Sequence, residues 1–412
     1  MGTPPPRSTG ELLSAEEAAA RLGVRRATLY AYVSRGLLTA LADPQQPKRS
    51  RYSAFEVERL LSPTPARGRT SPEPQAALYE GWPLVDTALT GMVDGVLVMR
   101  GQPLVTWAAH ASLEDTAALL WQVHPEAAFG GPAPVLPALW HRTAADLAPA
   151  DPQSRAVALW ALAMPHLHGE LALKDDALAA ALGAHLRVAF ACYLGRAPSA
   201  APLHLQVAEA WGVPAGGHDA LRQALVLCAD IMVNLMGLSG RMLASVQGSL
   251  AAGLLATLAY GFIRLSGGEF EVVEALFDEV LAGGESGSPA AVAASHRARG
   301  ETLPGFNHDF FPQGDPRGAA LLKLAESLGS PAGAWVQAMR DAHPLHPTLD
   351  FGLVALRRAL GAPRHGAFSL MHMARCTGML GQLVEQRQQG RRMWVQSRYV
   401  GASAGSPLTG WA

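Results

Sequence analysis

Two long stretches of this chain, residues 112–190 and 219–360, are rich in Ala and Leu at helical spacing and are interrupted by Gly and Pro. Apolar residues recurring with this period, with such stops between them, predict a series of amphipathic and buried helices. Apolar residues make up 49% of the 412 positions and charged residues only 16%. The sequence therefore predicts an all-α body with a large core and extensive subunit contact.

One β-hairpin is predicted ahead of these helices. Residues 88–108, ALTGMVDGVLVMRGQPLVTWA, alternate apolar and polar positions about the dipeptide Asp94-Gly95. An Asp-Gly pair between two alternating runs is a strong hairpin signal.

Residues 11–62 predict a separate small domain. Ser14 is a helix cap before AEEAAARLG, which ends at Gly23, and a second helix is predicted over residues 25–34. Residues 37–53 then predict a wing about a Pro-containing turn, and residues 54–61 a closing helix. This order resembles a MerR-like or excisionase-like winged helix-turn-helix domain.

The resemblance implies DNA contacts from the second helix and the wing. Arginine, lysine and hydroxyl side chains there suit phosphate oxygens and base edges. The candidates are Arg25, Arg26, Thr28, Tyr30, Tyr32, Lys48, Arg49 and Arg51. The domain holds eight Lys/Arg against six Asp/Glu, so affinity depends on a local patch and on dimerisation. The alternative is a docking module that kept the fold and lost DNA binding.

The segments around this domain differ in composition. Residues 63–76 are rich in Pro, Ser and Arg, which predicts a semi-extended linker. Residues 1–10 are expected to be disordered.

The segment 305–317, GFNHDFFPQGDPR, places His308 and Arg317 in a short loop bounded by Gly and Pro turn formers. Such a loop can present an imidazole and a guanidinium to one small anion. The alternative is that His308 is a surface residue of a turn-rich loop.

This segment resembles the signature of the citrate synthase family, GFGHRVYKxxDPR. It matches at Gly305, Phe306, His308, Asp315, Pro316 and Arg317. Residues 225–234, 264–276, 346–361, 368–386 and 397–401 also resemble family motifs, so the similarity runs over residues 84–401. The resemblance implies a large helical domain over 77–218 and 362–412, and a small domain over 219–361 that closes over substrate.

The resemblance also assigns roles in a condensation of an acyl-CoA with a keto acid. Such chemistry needs a carboxylate base for the acyl methyl group and a donor that polarises the ketone. Asp350 matches the base and His308 the residue that polarises oxaloacetate. Arg317 and Arg375 match the arginines that bind carboxylate groups.

Several family positions are altered. Ser266 replaces a histidine that stabilises the enol, and Cys228 and Ile231 replace the two histidines of LHADH. Trp394 stands near the position of an arginine lent by a neighbouring subunit, and Asp309 replaces a basic residue. These changes predict weak oxaloacetate binding and a greatly reduced synthase rate.

Two of the matched residues also have structural interpretations that involve no ligand. Asp350 could merely cap the helix that follows it, and Arg375 could pair with an internal acid. His343 and His346 resemble a metal pair, but they lack further ligands nearby and a surface loop is expected, so no metal site is predicted.

Two functional hypotheses follow, with a third that joins them. The first is a citrate synthase-type transferase using acetyl-CoA or another acyl-CoA as substrate and no other cofactor. The second is a DNA-binding regulator with weak or no activity that senses a dicarboxylate or tricarboxylate. In the third, the chain pairs with a homologous synthase-like chain as a heterodimer, instead of forming a homodimer.

Charge, cysteines and hydropathy set the expected location. The net charge is −1, which gives no global attraction for nucleic acid or membranes. Cys192, Cys228 and Cys376 are widely spaced, which favours a reducing cytoplasm over a disulfide framework. Residues 242–263 carry no charge but many small residues, which predicts a closely packed central helix and not a membrane span.

Overall fold

The computed structural model describes residues 12–34, 38, 40–42, 49–53, 57, 85–167, 174–262, 264–283, 288–308, 310–340 and 345–393. The predictions for residues 1–10, for the linker 63–76 and for most of the helix 54–61 fall outside these ranges.

In its described residues, the N-terminal unit contains three short strands and two helices with a small core of their own. The elements are β1 (Leu12–Ser14), α1 (Ala15–Arg21), α2 (Arg26–Ser34), β2 (Leu41–Ala42) and β3 (Ser50–Ser53). β3 lies between β1 and β2 and pairs antiparallel with both. The Ser14 side chain accepts the Glu17 amide and the Glu17 carboxylate accepts the Ser14 amide, so the predicted helix cap is confirmed.

The predicted hairpin is present as β4 (Thr90–Val93) and β5 (Val96–Met99). Asp94 and Gly95 have φ of 50° and 79°, as a two-residue turn matching the strand twist requires. A third strand, β6 (Gln102–Pro103), pairs with β5.

The rest of the described chain is mostly helical, as predicted. Its helices are α3 (Leu104–Ala108), α4 (Leu113–Trp121), α5 (Pro125–Phe129), α6 (Ala138–Asp146), α7 (Pro152–Ala163), α8 (Asp175–Leu194), α9 (Leu203–Trp211), α10 (His218–Cys228), α11 (Leu235–Ser245), α12 (Leu250–Ala259), α13 (Arg264–Ala282), α14 (Pro289–Ala298), α15 (Pro316–Ser327), α16 (Ala332–Met339), α17 (Leu349–Ala359) and α18 (Gly366–Gln389). Short 3-10 turns follow α7, α9 and α12.

Helix α18 is the centre of this body. It packs against helices from both ends of the chain, namely α4, α8, α10, α11, α12 and α17. From Gly366 to Gln386 most of its side chains are buried, including polar ones. Every polar group on α18 must therefore find a partner within the fold.

Residues 242–263 do not form the single central helix that the sequence predicts. Helix α11 ends at Ser245, Gln247 takes a left-handed φ of 62°, and α12 begins at Leu250. In the described residues only α8 has the length and hydropathy of a membrane span, and 67% of its apolar window is buried within the fold. That burial is typical of a core helix.

Helices α15 and α17 cross at very short distance. A Cβ atom on Gly318 would lie 2.4 Å from the carbonyl oxygens of Pro347 and Thr348, and one on Gly352 would lie 2.8 Å from the Gly318 carbonyl oxygen. Glycine at both positions therefore brings the start of α15 against the start of α17. Arg317 and Asp350 lie at those two helix starts.

Candidate anion site at the centre of the helical body

The loop 305–317 is fastened to the segment that leads into α17. The Asn307 amide donates to the His346 carbonyl oxygen at 2.8 Å, and the His346 amide donates to Asn307 Oδ1 at 2.9 Å. The Thr348 amide donates to the Gly305 carbonyl oxygen at 2.9 Å. These bonds fix the position of His308 relative to Asp350.

His308 is half-buried beside two phenylalanine rings. Its Nδ1 accepts the Phe310 amide at 3.1 Å, and its ring centroid lies 5.6 Å from those of Phe310 and Phe311. With Nδ1 as the acceptor, the neutral imidazole carries its proton on Nε2. His308 can therefore act as a hydrogen-bond donor, as a residue polarising a ketone must.

Arg317 is buried and forms a two-point ion pair. Its Nε donates to Asp315 Oδ1 at 3.0 Å and its Nη2 to Asp315 Oδ2 at 2.8 Å, while the guanidinium lies 5.3 Å from the Phe311 ring centre. Nη1 has no partner among the described residues. Asp315 thus accepts hydrogen bonds from Nε and Nη2 of this guanidinium, and Nη1 is left to donate to a ligand.

Asp350 does not cap its helix. Thr348 is the N-cap of α17 and its side chain accepts the Phe351 amide, so the capping interpretation of Asp350 is wrong. The Thr348 hydroxyl donates to Asp350 Oδ2 over a long 3.4 Å. Burial and the nearby Glu269 raise the pKa of Asp350 to about 6, although Arg317 opposes this shift. The carboxyl group is therefore poised to exchange a proton near neutral pH.

Arg375 lies on α18 with only 6% of its surface exposed. The described residues supply it with no hydrogen bond or ion pair, and Nη1 is buried without an acceptor. The expected alternative of an internal acid partner is met only by the electrostatic interaction with the buried Asp230. Burial and the neighbouring Arg317 lower its pKa, while Asp230 partly offsets them. This guanidinium is the strongest candidate for binding an external anion.

Two residues that the motif resemblance aligns with family histidines lie close to these charges or to the core. Cys228 is fully buried, and its pKa is raised to about 12 by burial, with Arg375, Arg317, Asp315 and Asp350 acting on it electrostatically. Its thiol is therefore neutral and is not an activated nucleophile. Ile231 is half-buried against the main core. Neither side chain can replace an imidazole as a strong donor.

The sequence missed four neighbours of this site. Asp230 is fully buried, accepts from the Thr90 hydroxyl at 2.6 Å through Oδ2, and leaves Oδ1 without a partner. Ser369 and His372 lie six and three residues before Arg375 on α18, and each has an unpartnered buried polar atom. Glu269 is exposed on α13 and acts on Asp350. The polar residues at three-residue spacing within an apolar helix are the signal that could have revealed Ser369 and His372.

The remaining candidates have mixed outcomes. Ser266 lies in the first turns of α13, whose backbone alone is described there. Asp309, His343 and Trp394 fall outside the described ranges, and His346 is half-buried in the segment before α17. The described parts of the chain hold no group of three or more potential metal ligands.

The predicted DNA-contacting residues divide by exposure. Arg25, Arg26, Thr28 and Tyr30 are exposed on or beside α2, Tyr32 is half-buried, and Arg26 pairs with Glu16 at 3.0 Å. Arg49 is exposed and Arg51 is half-buried on β3, whereas Lys48 falls outside the described residues.

Comparisons with known proteins identify the family. Residues 133–396 match the family model for citrate synthase, C-terminal domain. A protein of Mycobacterium tuberculosis H37Rv named putative citrate synthase 2 is 26% identical over 223 residues, which cover 51% of this chain and 56% of the relative. The chain thus spans about half the length of the curated relatives it matches.

Solved structures show the same fold at low sequence identity. Citrate synthase of Thermoplasma acidophilum, solved as a ternary complex with carboxymethyl coenzyme A and oxaloacetate, superposes with a TM-score of 0.62 at 20% identity over 79% of this chain and 96% of the other. Citrate synthase of Thermotoga maritima gives 0.63 at 17% identity, over 80% and 96%. With the family model covering well over half of its length, the chain belongs to the citrate synthase family.

Proposed function

We propose that this chain binds a small organic carboxylate beside Arg375 and acts as a metabolite-responsive regulatory dimer with little or no citrate synthase activity. The observation that carries this proposal is the buried Arg375 guanidinium with no carboxylate partner among the described residues. An unpaired buried charge is costly, and an anionic ligand removes that cost. Arg317 Nη1 supplies a second buried donor.

The low activity follows from the residues at the altered family positions. Cys228 is a neutral thiol and Ile231 is apolar, so neither stabilises charge on a reacting oxygen. Loss of one well-placed donor typically slows such a step by roughly 10²–10³ fold. Ser266 is at best a weaker donor than the histidine it replaces.

The second candidate is an active acyltransferase that condenses an acyl-CoA with oxaloacetate or a related keto acid. Asp350 favours it, because a carboxylate with a pKa of about 6 is a stronger base than an ordinary aspartate and is still ionised at pH 7. His308 would polarise the ketone through Nε2–H, and Arg317 and Arg375 would bind its carboxylates. The activity would need no cofactor other than the acyl-CoA substrate.

The N-terminal unit supports a regulatory role through DNA. We propose that it is a winged helix-turn-helix and that exposed Arg25, Arg26 and Thr28 approach the duplex from α2, with Arg49 and Arg51 reaching phosphates from the wing. Arg26 would exchange its exposed ion pair with Glu16 for a phosphate. Exposed ion pairs contribute little to the free energy of unfolding, so breaking this one costs little free energy.

Dimerisation is proposed through α11. Leu235, Met242 and Val246 are 65%, 42% and 56% exposed and are spaced seven and four residues apart, on one face of that helix and its C-terminal turn. A contiguous apolar face of this kind is typical of a subunit contact. The partner is a second copy of this chain or a homologous synthase-like chain, and mass measurement of co-expressed chains separates these outcomes.

Titration calorimetry with oxaloacetate, citrate and acetyl-CoA, followed by a thiol-release assay on the same sample, tests the proposal. We expect carboxylate binding that is lost in Arg375→Met, with no CoA release above background. CoA release that depends on both substrates and disappears in Asp350→Ala would establish the enzyme instead. Absence of carboxylate binding would overturn the anion site.

A further inference from the structure

Three unpartnered polar groups lie in a row on the N-terminal half of α18. Ser369, His372 and Arg375 are 2%, 2% and 6% exposed, and Ser369 Oγ, His372 Nε2 and Arg375 Nη1 have no hydrogen-bond partner among the described residues. Residues three apart lie on the same side of a helix. Buried polar atoms in native proteins nearly always have a partner, so three such atoms on one side of a helix are candidates for contact with a bound molecule.

Among the described residues, nothing near His372 forms a hydrogen bond with its Nε2. Its ring is tilted against that of Phe368 with centroids 4.2 Å apart, and its centroid lies 6.4 Å from that of Tyr193. The Tyr193 hydroxyl donates to Gln153 Oε1 at 2.7 Å, so it is already engaged. Phe368 in turn contacts Phe270 of α13 at 6.1 Å, which places His372 beside the helix that carries Ser266 and Glu269.

The chemistry of the row restricts what it can bind. Burial and the Arg375 charge lower the pKa of His372 to about 3, so the ring is neutral at physiological pH. A neutral imidazole and a serine hydroxyl exchange hydrogen bonds with uncharged oxygens and do not neutralise a second carboxylate. Residues three apart on a helix are separated by about 4.5 Å along its axis.

We infer that Ser369 and His372 are specificity-determining residues that bind an uncharged oxygen, a carbonyl or hydroxyl, lying about 4–6 Å from the carboxylate held by Arg375. The preferred ligand is then an oxo or hydroxy carboxylic acid with that oxygen near its fourth carbon. This inference rests on the proposed anion site and adds the identity of the group next to the carboxylate. His372 here acts by positioning and discrimination, and His308 keeps its proposed role at the ketone.

Two matched probes test this inference on the full chain. 4-Oxopentanoate and pentanoate carry the same carboxylate and the same chain length, and they differ in the carbonyl oxygen. We expect the wild-type protein to bind 4-oxopentanoate at least about tenfold more tightly, because the added oxygen satisfies a buried donor. His372→Phe should remove this preference and retain pentanoate binding, and His372→Gln should retain part of it.

The controls separate this inference from the proposal on which it rests. Arg375→Met should weaken both probes equally, and Ser369→Ala should reduce the preference less than His372→Phe does. Equal affinity of the wild-type protein for the two probes, or a preference unchanged in both His372 variants, overturns the inference and leaves the anion site standing. Failure of both probes, oxaloacetate and citrate to bind overturns the anion site and the inference together. Thermal unfolding of each variant verifies that it is folded.

Discussion

Arg241 and Arg375 are two buried arginines beside the same helix, and they have opposite surroundings. Arg241, on α11, forms an ion pair with Glu385 and donates to Gln382 Oε1 at 2.5 Å and to the Thr87 hydroxyl at 3.2 Å. Glu385 also accepts the Ala88 amide at 2.7 Å. Arg375 has no such ion pair or hydrogen bond in the described residues, whereas Nη1 is buried without an acceptor in both arginines.

The difference separates a charge that is paired within the chain from the charge that we propose binds a ligand. The cluster around Arg241 joins the C-terminal half of α18 to α11 and to the segment before β4, so its charges are largely compensated within the chain. The N-terminal half of α18 keeps Arg375, His372 and Ser369 buried and unsatisfied. A fold keeps such groups when a ligand completes them.

Breaking the compensated cluster should give the largest effect on stability. Arg241→Met leaves the Glu385 carboxylate buried without its cation, and such a loss typically costs about 3–5 kcal/mol. We expect a clear drop in the free energy of unfolding, measured by urea denaturation at pH 7. A loss under about 1 kcal/mol would mean that this cluster is not a structural element.

The same substitution at the second arginine should affect binding and not stability. Arg375→Met removes a buried charge that makes no ion pair among the described residues, and it also removes the favourable effect of that charge on the buried Asp230. Because these two changes oppose each other, the free energy of unfolding should change much less than in Arg241→Met. Carboxylate binding should weaken by about 10–150 fold, which corresponds to a charge-assisted hydrogen bond of about 1.5–3 kcal/mol. Calorimetry with citrate measures the binding and urea denaturation the stability. Strong destabilisation by Arg375→Met would show that Arg375, like Arg241, contributes to the stability of the fold.

Asp350 should make stability depend on pH. Its native pKa of about 6 lies above the ordinary value of 3.8, so the native state binds the proton more tightly than the unfolded state does. Stability contributed by this group is therefore present in acid and is lost as the pH rises from about 4 to 6. Asp350→Asn should stabilise the protein by about 3 kcal/mol at pH 8 and by little at pH 4. An equal effect at both pH values would contradict the raised pKa.

Sequence reasoning succeeded where the signal is local. The Asp94-Gly95 hairpin and the Ser14 cap depend on neighbouring residues, and both are confirmed. The break near Gln247 was missed because a run of small apolar residues continues across it. Amino-acid composition does not indicate which residue inside such a run takes a left-handed backbone conformation.

In the candidate site, too, some features could be predicted from the sequence and others could not. Motif resemblance selected His308, Arg317, Asp350 and Arg375, and their roles stay predictions. Resemblance could not reveal that Asp315 forms an ion pair with Arg317. It also could not reveal that Arg375 has no ion pair in the described residues, because that depends on tertiary packing. Thr348 is the cap of α17 although Asp350 is an equally good capping residue type. The choice between them depends on where the helix begins.

The smallest expected effect concerns Glu269, which is exposed and acts on Asp350 through solvent-screened electrostatics. Glu269→Gln should move the midpoint of the Asp350 titration slightly toward acid at low salt, with an effect on stability under about 1 kcal/mol. Carboxyl carbon NMR of Asp350 during a pH titration measures the midpoint. Glu271→Gln, an exposed neighbour on α13 that does not act on Asp350, is the matched control. If both variants leave the midpoint near 6, burial and Asp315 raise the pKa without help from Glu269. In that case Asp350 would keep its raised pKa whatever charge the surface of α13 carries.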